Sequence, residues 1–100
     1  MTDRLKLKVR VMKDDIENGR RKSTGLCPIA RAIRRETEGK FRISVGNYIR
    51  LGRIGRTGYR ADTPAEAEQF ISNFDGKGPD SVKPFVFRVV LRKTRIVDDC

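Results

Sequence analysis

An arginine–glycine segment in the middle of the chain is the part of the sequence best suited to bind an anion. The triplet Arg-x-Gly occurs three times in succession, beginning at Arg50, Arg53 and Arg56. Arginine presents a planar fork of donors that pairs with phosphate, and glycine lets backbone N–H groups approach an anion closely. Tyr48 and Tyr59 flank the segment, where either ring could stack on a base. The segment predicts a phosphate-gripping arm; the competing interpretation is a hairpin tip with solvated arginines.

A second group of cations surrounds a predicted helix start at Pro28. The first N–H groups of a helix have no partner within it and can bind an anion. The sequence leaves open whether this group and the arm meet in space. The candidate nucleic-acid- or phosphate-binding residues of the two groups are Arg20, Arg21, Lys22, Arg31, Arg34, Arg35, Tyr48, Arg50, Arg53, Arg56, Tyr59 and Arg60.

The charge of the chain is concentrated in these segments. The protein has 23 lysines and arginines, 13 aspartates and glutamates, and a net charge of +10. Positions 20–60 hold twelve cations and two acidic residues, so this stretch alone accounts for the whole surplus. A concentrated surplus is typical of a protein that meets an acidic partner, whereas a solubilising surface spreads its charge. The alternative is a solvated basic face.

Residues for catalysis or metal binding are sparse. The chain has no histidine, so Cys27, just before the predicted helix, lacks the usual base that would activate a thiol. We interpret Cys27 as a small residue that packs the helix start. No Walker loop, G-x-G-x-x-G or G-x-S-x-G motif is present. The sequence therefore predicts a non-catalytic protein that needs no metal and no cofactor.

Hydrophobic alternation predicts four strands. The first alternates Leu5, Leu7, Val9 and Val11 with cations, and the last carries Phe85, Phe87, Val89 and Leu91 on one face. The four predicted ranges are 5–12, 41–45, 48–51 and 85–95.

Apolar residues at helical spacing predict two principal helices. One spans about 28–38, and the other follows Thr63-Pro64-Ala65-Glu66, which has the pattern of a capping box. A short helical turn is also predicted at 13–18. The order β-α-β-β-α-β indicates an α+β domain with two helices on one face of a four-stranded antiparallel sheet, and the ferredoxin-like topology satisfies that order.

One domain over residues 1–97 is expected, with the basic arm at 50–60 and a frayed tail at 98–100. No apolar run approaches a membrane span and the first residues lack a signal peptide's apolar region, which predicts a cytoplasmic protein without a membrane partner. Val86 and Val90 lie on the second face of the last strand. A second copy could cover them, so a homodimer is a candidate assembly.

Several motifs together resemble a family of small uncharacterised proteins encoded by bacteriophages and bacteria. They are D-I-x-x-G from Asp15, C-P-I-A-x-A-I from Cys27, S-V-G from Ser44, E-x-x-x-F-I-x-x-F-D from Glu66 and K-P-F from Lys83. The resemblance covers most of the chain and implies one compact domain in a phage or prophage setting, hence host cytoplasm. It implies no activity and assigns no site residues, and the arginine–glycine arm is not part of its pattern.

The function expected from the sequence is therefore nucleic-acid binding, to DNA or RNA, through the arm and the basic helix. Two alternatives stay open. The protein could be an anti-defence factor that sequesters a cyclic or other nucleotide signal, or one that docks on an acidic host protein. No helix-turn-helix, RNP-type or zinc motif is visible, which argues against sequence-specific readout.

Overall fold

The computed structural model describes residues 4–52 and 58–94 and shows a small α+β domain, as the sequence predicts. No helix in these two ranges is long and apolar enough to cross a membrane. In chain order the elements are β1 (Arg4–Val11), α1 (Lys13–Asn18), α2 (Pro28–Glu36), β2 (Arg42–Val45), β3 (Tyr48–Gly52), β4 (Gly58–Asp62), α3 (Ala65–Lys77), a 3₁₀ turn (Pro79–Ser81) and β5 (Phe85–Thr94).

The five strands form one antiparallel sheet in the order β1-β5-β4-β3-β2. Strands β2 to β5 are neighbours in the order in which the chain makes them. The last strand, β5, also pairs with the first strand, β1. This pairing covers the whole length of β1, from Arg4 opposite Arg92 to Val11 opposite Phe85. Strands β1 and β2 are thus the two edges, and the centre of the sheet is built by β5, β4 and β3.

Two predictions about the sheet require correction. There are five strands rather than four, because residues 58–62 form β4 where the sequence indicated the end of an arm. Their run Gly-Tyr-Arg-Ala-Asp has too little hydrophobic alternation to predict a strand. The topology also differs from the ferredoxin-like one, which keeps its first strand inside the sheet, whereas β1 here lies at an edge.

The core lies between the helices and one face of the sheet. Alternate side chains of every strand point towards the helices, because successive residues of a strand face opposite sides. The strands contribute Val9, Val11, Ile43, Val45, Ile49, Leu51, Phe87, Val89 and Leu91, and α2 and α3 contribute Ile29, Ala30, Ala32, Ile33, Ala67, Phe70 and Phe74. The strand residues that alternate with these core residues point the other way and form the opposite face of the sheet. No described helix covers that face.

The start of α3 also differs from its prediction. The helix begins at Ala65 with Pro64 as its N-cap, and no side chain caps it. The Thr63 hydroxyl instead donates to the Gly46 carbonyl at 2.6 Å. The predicted capping box is therefore wrong, since Thr63 is used to tie the turn between β2 and β3 to the start of α3.

Gly19 is placed where a side chain has no room. A Cβ there would lie 2.6 Å from Pro28 Cδ and 2.7 Å from the Asp15 carbonyl oxygen. We therefore expect Gly19→Ala to lower the free energy of unfolding by about 1–3 kcal/mol, as overpacking does. Gly46→Ala is the matched control, because nothing lies within 4 Å of its added Cβ. Urea unfolding of both variants checks this, and equal stabilities would contradict the close packing of Gly19 on Pro28.

Candidate functional site

The open face of the sheet gathers positive charge from all five strands. It carries nine cations: Arg4, Lys6, Lys8, Arg10, Arg42, Arg50, Arg60, Arg88 and Arg92. Among the described residues, Asp62 is its one carboxylate, so the face has a formal charge of +8. The rest of the described chain nearly balances, with eleven cations and nine carboxylates. We call this surface the basic sheet face.

A row of four arginines crosses this face from strand to strand. In the strand register Arg50 lies opposite Arg60, Arg60 opposite Arg92, and Arg92 opposite Arg4. Neighbouring strands are about 4.8 Å apart, so the four Cα atoms span roughly 14 Å. Like charges directly opposite each other destabilise a sheet. The row therefore opposes folding, and an anion bound along it would remove that repulsion.

Exposed apolar side chains lie among these cations. Tyr48 on β3 is 43% exposed, and Val86 and Val90 on β5 are 52% and 47% exposed. The Arg60 guanidinium carbon lies 4.0 Å above the centre of the Tyr48 ring, which is a cation–π contact. The face thus offers a cation–π pair as well as a set of separate positive charges.

An open cleft interrupts the face between β4 and β5. The two strands are paired only from Gly58 opposite Thr94 to Arg60 opposite Arg92, and beyond that point their ladder stops. The cleft has a volume of about 720 Å³. Its lining includes Arg60, Asp62, Arg88, Val90, Arg92 and Lys93. Four of its ten lining residues are cations, one is a carboxylate and one is an exposed valine.

Two of the three arginines of α2, on the helical side of the sheet, are held by carboxylates. The Arg35 guanidinium donates to both oxygens of Asp15, each at 2.9 Å, and also to the Arg10 carbonyl at 2.7 Å. Arg31 lies 3.8 Å from Asp15 and 3.6 Å from Asp14. These contacts join α1 to α2, so the two arginines have a structural role.

Asp15 is almost fully buried, at 1% exposure. Burial by itself raises the pKa of this carboxyl. The hydrogen bonds from Arg35 and from the Met12 amide, with the charges of Arg35 and Arg31, outweigh burial and lower its pKa overall. Asp15 therefore stays ionised at neutral pH and stabilises the α1–α2 pair.

The loop before α2 is tied to the end of α3. The Arg21 guanidinium donates to the Asp75 carbonyl, at 2.8 Å from Nη2, and the Lys22 amide donates to the Asp75 carboxylate at 2.9 Å. Arg34 donates to the Gly25 carbonyl at 2.7 Å within the same region. The side chains of Arg21 and Arg34 and the backbone of Lys22 hold this long connection in place, and none of the three residues lies on the sheet face.

The structure separates the residues that the sequence grouped together. Tyr48, Arg50 and Arg60 lie on the basic sheet face. The predicted cations on the opposite, helical side are Arg20, Arg21, Lys22, Arg31, Arg34 and Arg35. Tyr59 also points towards the helices, half-buried against Phe41 with ring centres 6.0 Å apart, so it does not stack from the face. Arg53 and Arg56 lie outside the described residues, as does the predicted tail.

Six cations of the face were missed by concentrating on positions 20–60. They are Arg4, Lys6, Lys8, Arg10, Arg88 and Arg92; Arg42 lies within that stretch but was not selected. A signal was present, because Lys6, Lys8 and Arg10 alternate strictly with the apolar residues of the first strand. These three cations lie beside Arg88 and Arg92 only because β1 pairs with β5. Hydrophobic alternation does not predict which strands pair.

Cys27 has the packing environment expected of it. Its thiol is buried, and Sγ accepts a hydrogen bond from the Ala30 amide at 3.4 Å at the start of α2. Burial raises the pKa of the thiol, although the amide hydrogen bonds oppose this. The side chain therefore stays protonated at neutral pH. In the two described ranges, no group of three histidine, cysteine, aspartate or glutamate residues is arranged to hold a metal ion.

Comparisons with known proteins add no assignment to this geometry. No family model, curated protein or solved structure matches the chain.

Proposed function

We propose that this protein is a non-enzymatic binder of nucleic acid and that the basic sheet face is its binding surface. The observation that carries the proposal is the charge of that face: nine cations and one carboxylate on a surface that no described helix covers. Polyanions with regularly spaced phosphates match an extended cationic surface better than a single bound anion does. The resemblance to small phage-encoded proteins is compatible with this function and sets it in a host cytoplasm.

The cost of the arginine row supports a binding role. Four arginines placed directly opposite each other across four strands weaken the sheet, and neutral residues at these solvent-facing positions would fit its geometry equally well. Residues that lower the stability of the fold in this way are typical of functional sites. A phosphate backbone lying across the strands would bring negative charge to this row.

Salt-dependent binding tests the proposal. If about five phosphates are neutralised, the affinity for a labelled mixed-sequence oligonucleotide falls about 100-fold between 50 and 200 mM salt, because each contact releases condensed counterions. Fluorescence anisotropy over that range measures the slope. The absence of binding to both DNA and RNA oligonucleotides at 50 mM salt would eliminate a nucleic-acid function.

The cleft between β4 and β5 favours a second candidate function, the sequestering of a nucleotide signal. Its volume of about 720 Å³ lies in the usual range for small-molecule sites, and Arg60, Arg88 and Arg92 could contact a phosphate. The cleft is open, however, and the cations continue far beyond it along β1. Calorimetry against cyclic mono-, di- and trinucleotides separates the two functions, since a nucleotide site binds tightly with weak dependence on salt.

Two kinds of protein partner are alternatives to nucleic acid and nucleotide. An acidic host protein would meet the same charge, and it is favoured if neither oligonucleotides nor nucleotides bind. A homodimer through Val86 and Val90 is opposed by electrostatics, because it would press two faces of formal charge +8 together. Light scattering at low salt distinguishes an 11.4 kDa monomer from a dimer.

A further inference from the structure

We infer that the basic sheet face is built for single-stranded rather than double-stranded nucleic acid, with one base seated in the cleft between β4 and β5. This inference rests on the proposed function and specifies its substrate. It is motivated by the apolar groups within the face, which electrostatic contact with phosphates does not explain.

A duplex would leave the apolar groups of the face unused. Double-stranded nucleic acid presents phosphates and sugars outwards and keeps its bases stacked, so a sheet surface meets mainly charge. Yet Tyr48, Val86 and Val90 are each between 43% and 52% exposed in the midst of the cations. Only the unstacked bases of a single strand bring flat apolar surfaces to such positions.

The lining of the cleft suits contact with a nucleic-acid base. Arg60 lines the cleft with its guanidinium carbon 4.0 Å from the centre of the Tyr48 ring, and a base can stack on a guanidinium group. Val90 is the exposed aliphatic group of the lining. A base inserted here therefore contacts a planar cation and an aliphatic side chain.

Asp62 indicates that the base, and not the phosphate, enters the cleft. Its carboxylate lies in the lining, and no salt bridge to it forms within residues 4–52 and 58–94. A carboxylate repels phosphate but accepts hydrogen bonds from the amino groups of bases. The phosphates then lie outside the cleft along the cations of β1, with Arg88 and Arg92 between them and the base, so the strand runs over the face with its bases turned inwards.

The test compares one labelled 15-nucleotide strand, as DNA and as RNA, with the same DNA strand annealed to its complement. At about 100 mM salt we expect the single strand to bind at least tenfold more tightly than the duplex. Tyr48→Ser and Val90→Ser should each weaken single-strand binding by at least about fivefold, because base contacts of this kind contribute that much, and change duplex binding less than twofold. The DNA and RNA arms show which sugar is preferred.

Leu26→Ser is the matched control, since Leu26 is equally exposed at 43% but lies in the loop before α2. It should bind both probes as the wild type does. Equal affinity for strand and duplex, unchanged in the Tyr48 and Val90 variants, would overturn the single-strand inference and leave the proposed function intact. Failure to bind either probe would overturn both.

Discussion

Replacing Lys8, Arg88 and Arg92 with glutamine should remove most of the nucleic-acid affinity while leaving the fold at least as stable as the wild type. Lys8 and Arg88 are directly opposite each other on β1 and β5, and Arg92 lies in the arginine row between Arg60 and Arg4. Each phosphate contact contributes about 0.7–0.9 to the slope of log affinity against log salt. Losing three contacts therefore flattens that slope by about 2–3, and we expect an affinity loss of roughly 100-fold at 150 mM salt.

Stability is the second readout of the same variant. The substitutions break two like-charge contacts across β1 and β5 and one between β4 and β5. Each such contact removed should increase the free energy of unfolding by a few tenths of a kcal/mol, up to about 1 kcal/mol. Urea unfolding measures it. Weaker binding together with greater stability is the signature of a surface selected for binding, and an unfolded variant could not show it.

The matched control changes the same number of cations on the helical side. Arg20, Lys22 and Lys77 are exposed and lie near the ends of α1 and α3. Replacing these three with glutamine removes the same net charge as the first triple variant. The affinity that this control loses therefore measures the general effect of charge. We expect less than about fivefold. An equal loss of affinity in both triple variants would contradict a binding surface confined to the sheet face. It would extend that surface to the helical side, which includes Arg20 and Lys22.

Asp15→Asn should be the most destabilising single substitution among the polar residues of the helical side. The carboxylate is 1% exposed and accepts hydrogen bonds from Arg35 and from the Met12 amide. Breaking a buried, hydrogen-bonded ion pair costs about 3–5 kcal/mol, but the Arg35 side chain is 43% exposed, so part of this cost is screened by solvent. We expect a loss of about 2–4 kcal/mol in the free energy of unfolding.

The pH dependence follows from the lowered pKa of Asp15. A carboxyl group whose folded-state pKa lies below its unfolded value binds fewer protons when folded. Its stabilisation is present above the unfolded pKa, near 3.8, and is lost as the pH falls through the folded pKa. The stability difference between wild type and Asp15→Asn should therefore be complete at pH 6 and shrink below about pH 4.

Asp14→Asn is the control for that experiment. Asp14 is the neighbouring carboxylate, its side chain is 75% exposed, and its contact with Arg31 is long, at 3.6 Å. Exposed ion pairs of this kind contribute little, so we expect a change below about 0.5 kcal/mol. If both variants lost the same stability, the Asp15–Arg35 contact would not be the joint that holds α1 against α2.

The same contacts give the arginines of α2 a structural role that the sequence pattern does not predict. Arg31, Arg34 and Arg35 appear solvent-facing from helical periodicity alone, because Ile29, Ala32 and Ile33 take the buried side. Asp14 and Asp15 reach Arg31 and Arg35 only where α1 packs on α2, and Arg34 meets the Gly25 carbonyl of the preceding loop. A count of charges along the chain contains no information about such pairing.

Local pattern by itself determined much of this protein. Alternation in β1 and β5, the apolar periodicity of α2 and α3 and the surplus of cations were sufficient to predict an α+β domain with strong positive charge, because these properties depend on residues close together in the chain. Tertiary structure alone decided where the charge lies. The pairing of β1 with β5 brings Lys8 beside Arg88 and Arg4 beside Arg92, and the two strands are separated by most of the sequence. One face of a sheet packs on the core and the other faces solvent. The pairing of β1 with β5 therefore joins the cations of the two strands into one surface, and the predicted arginines of α2 lie on the opposite side of the sheet.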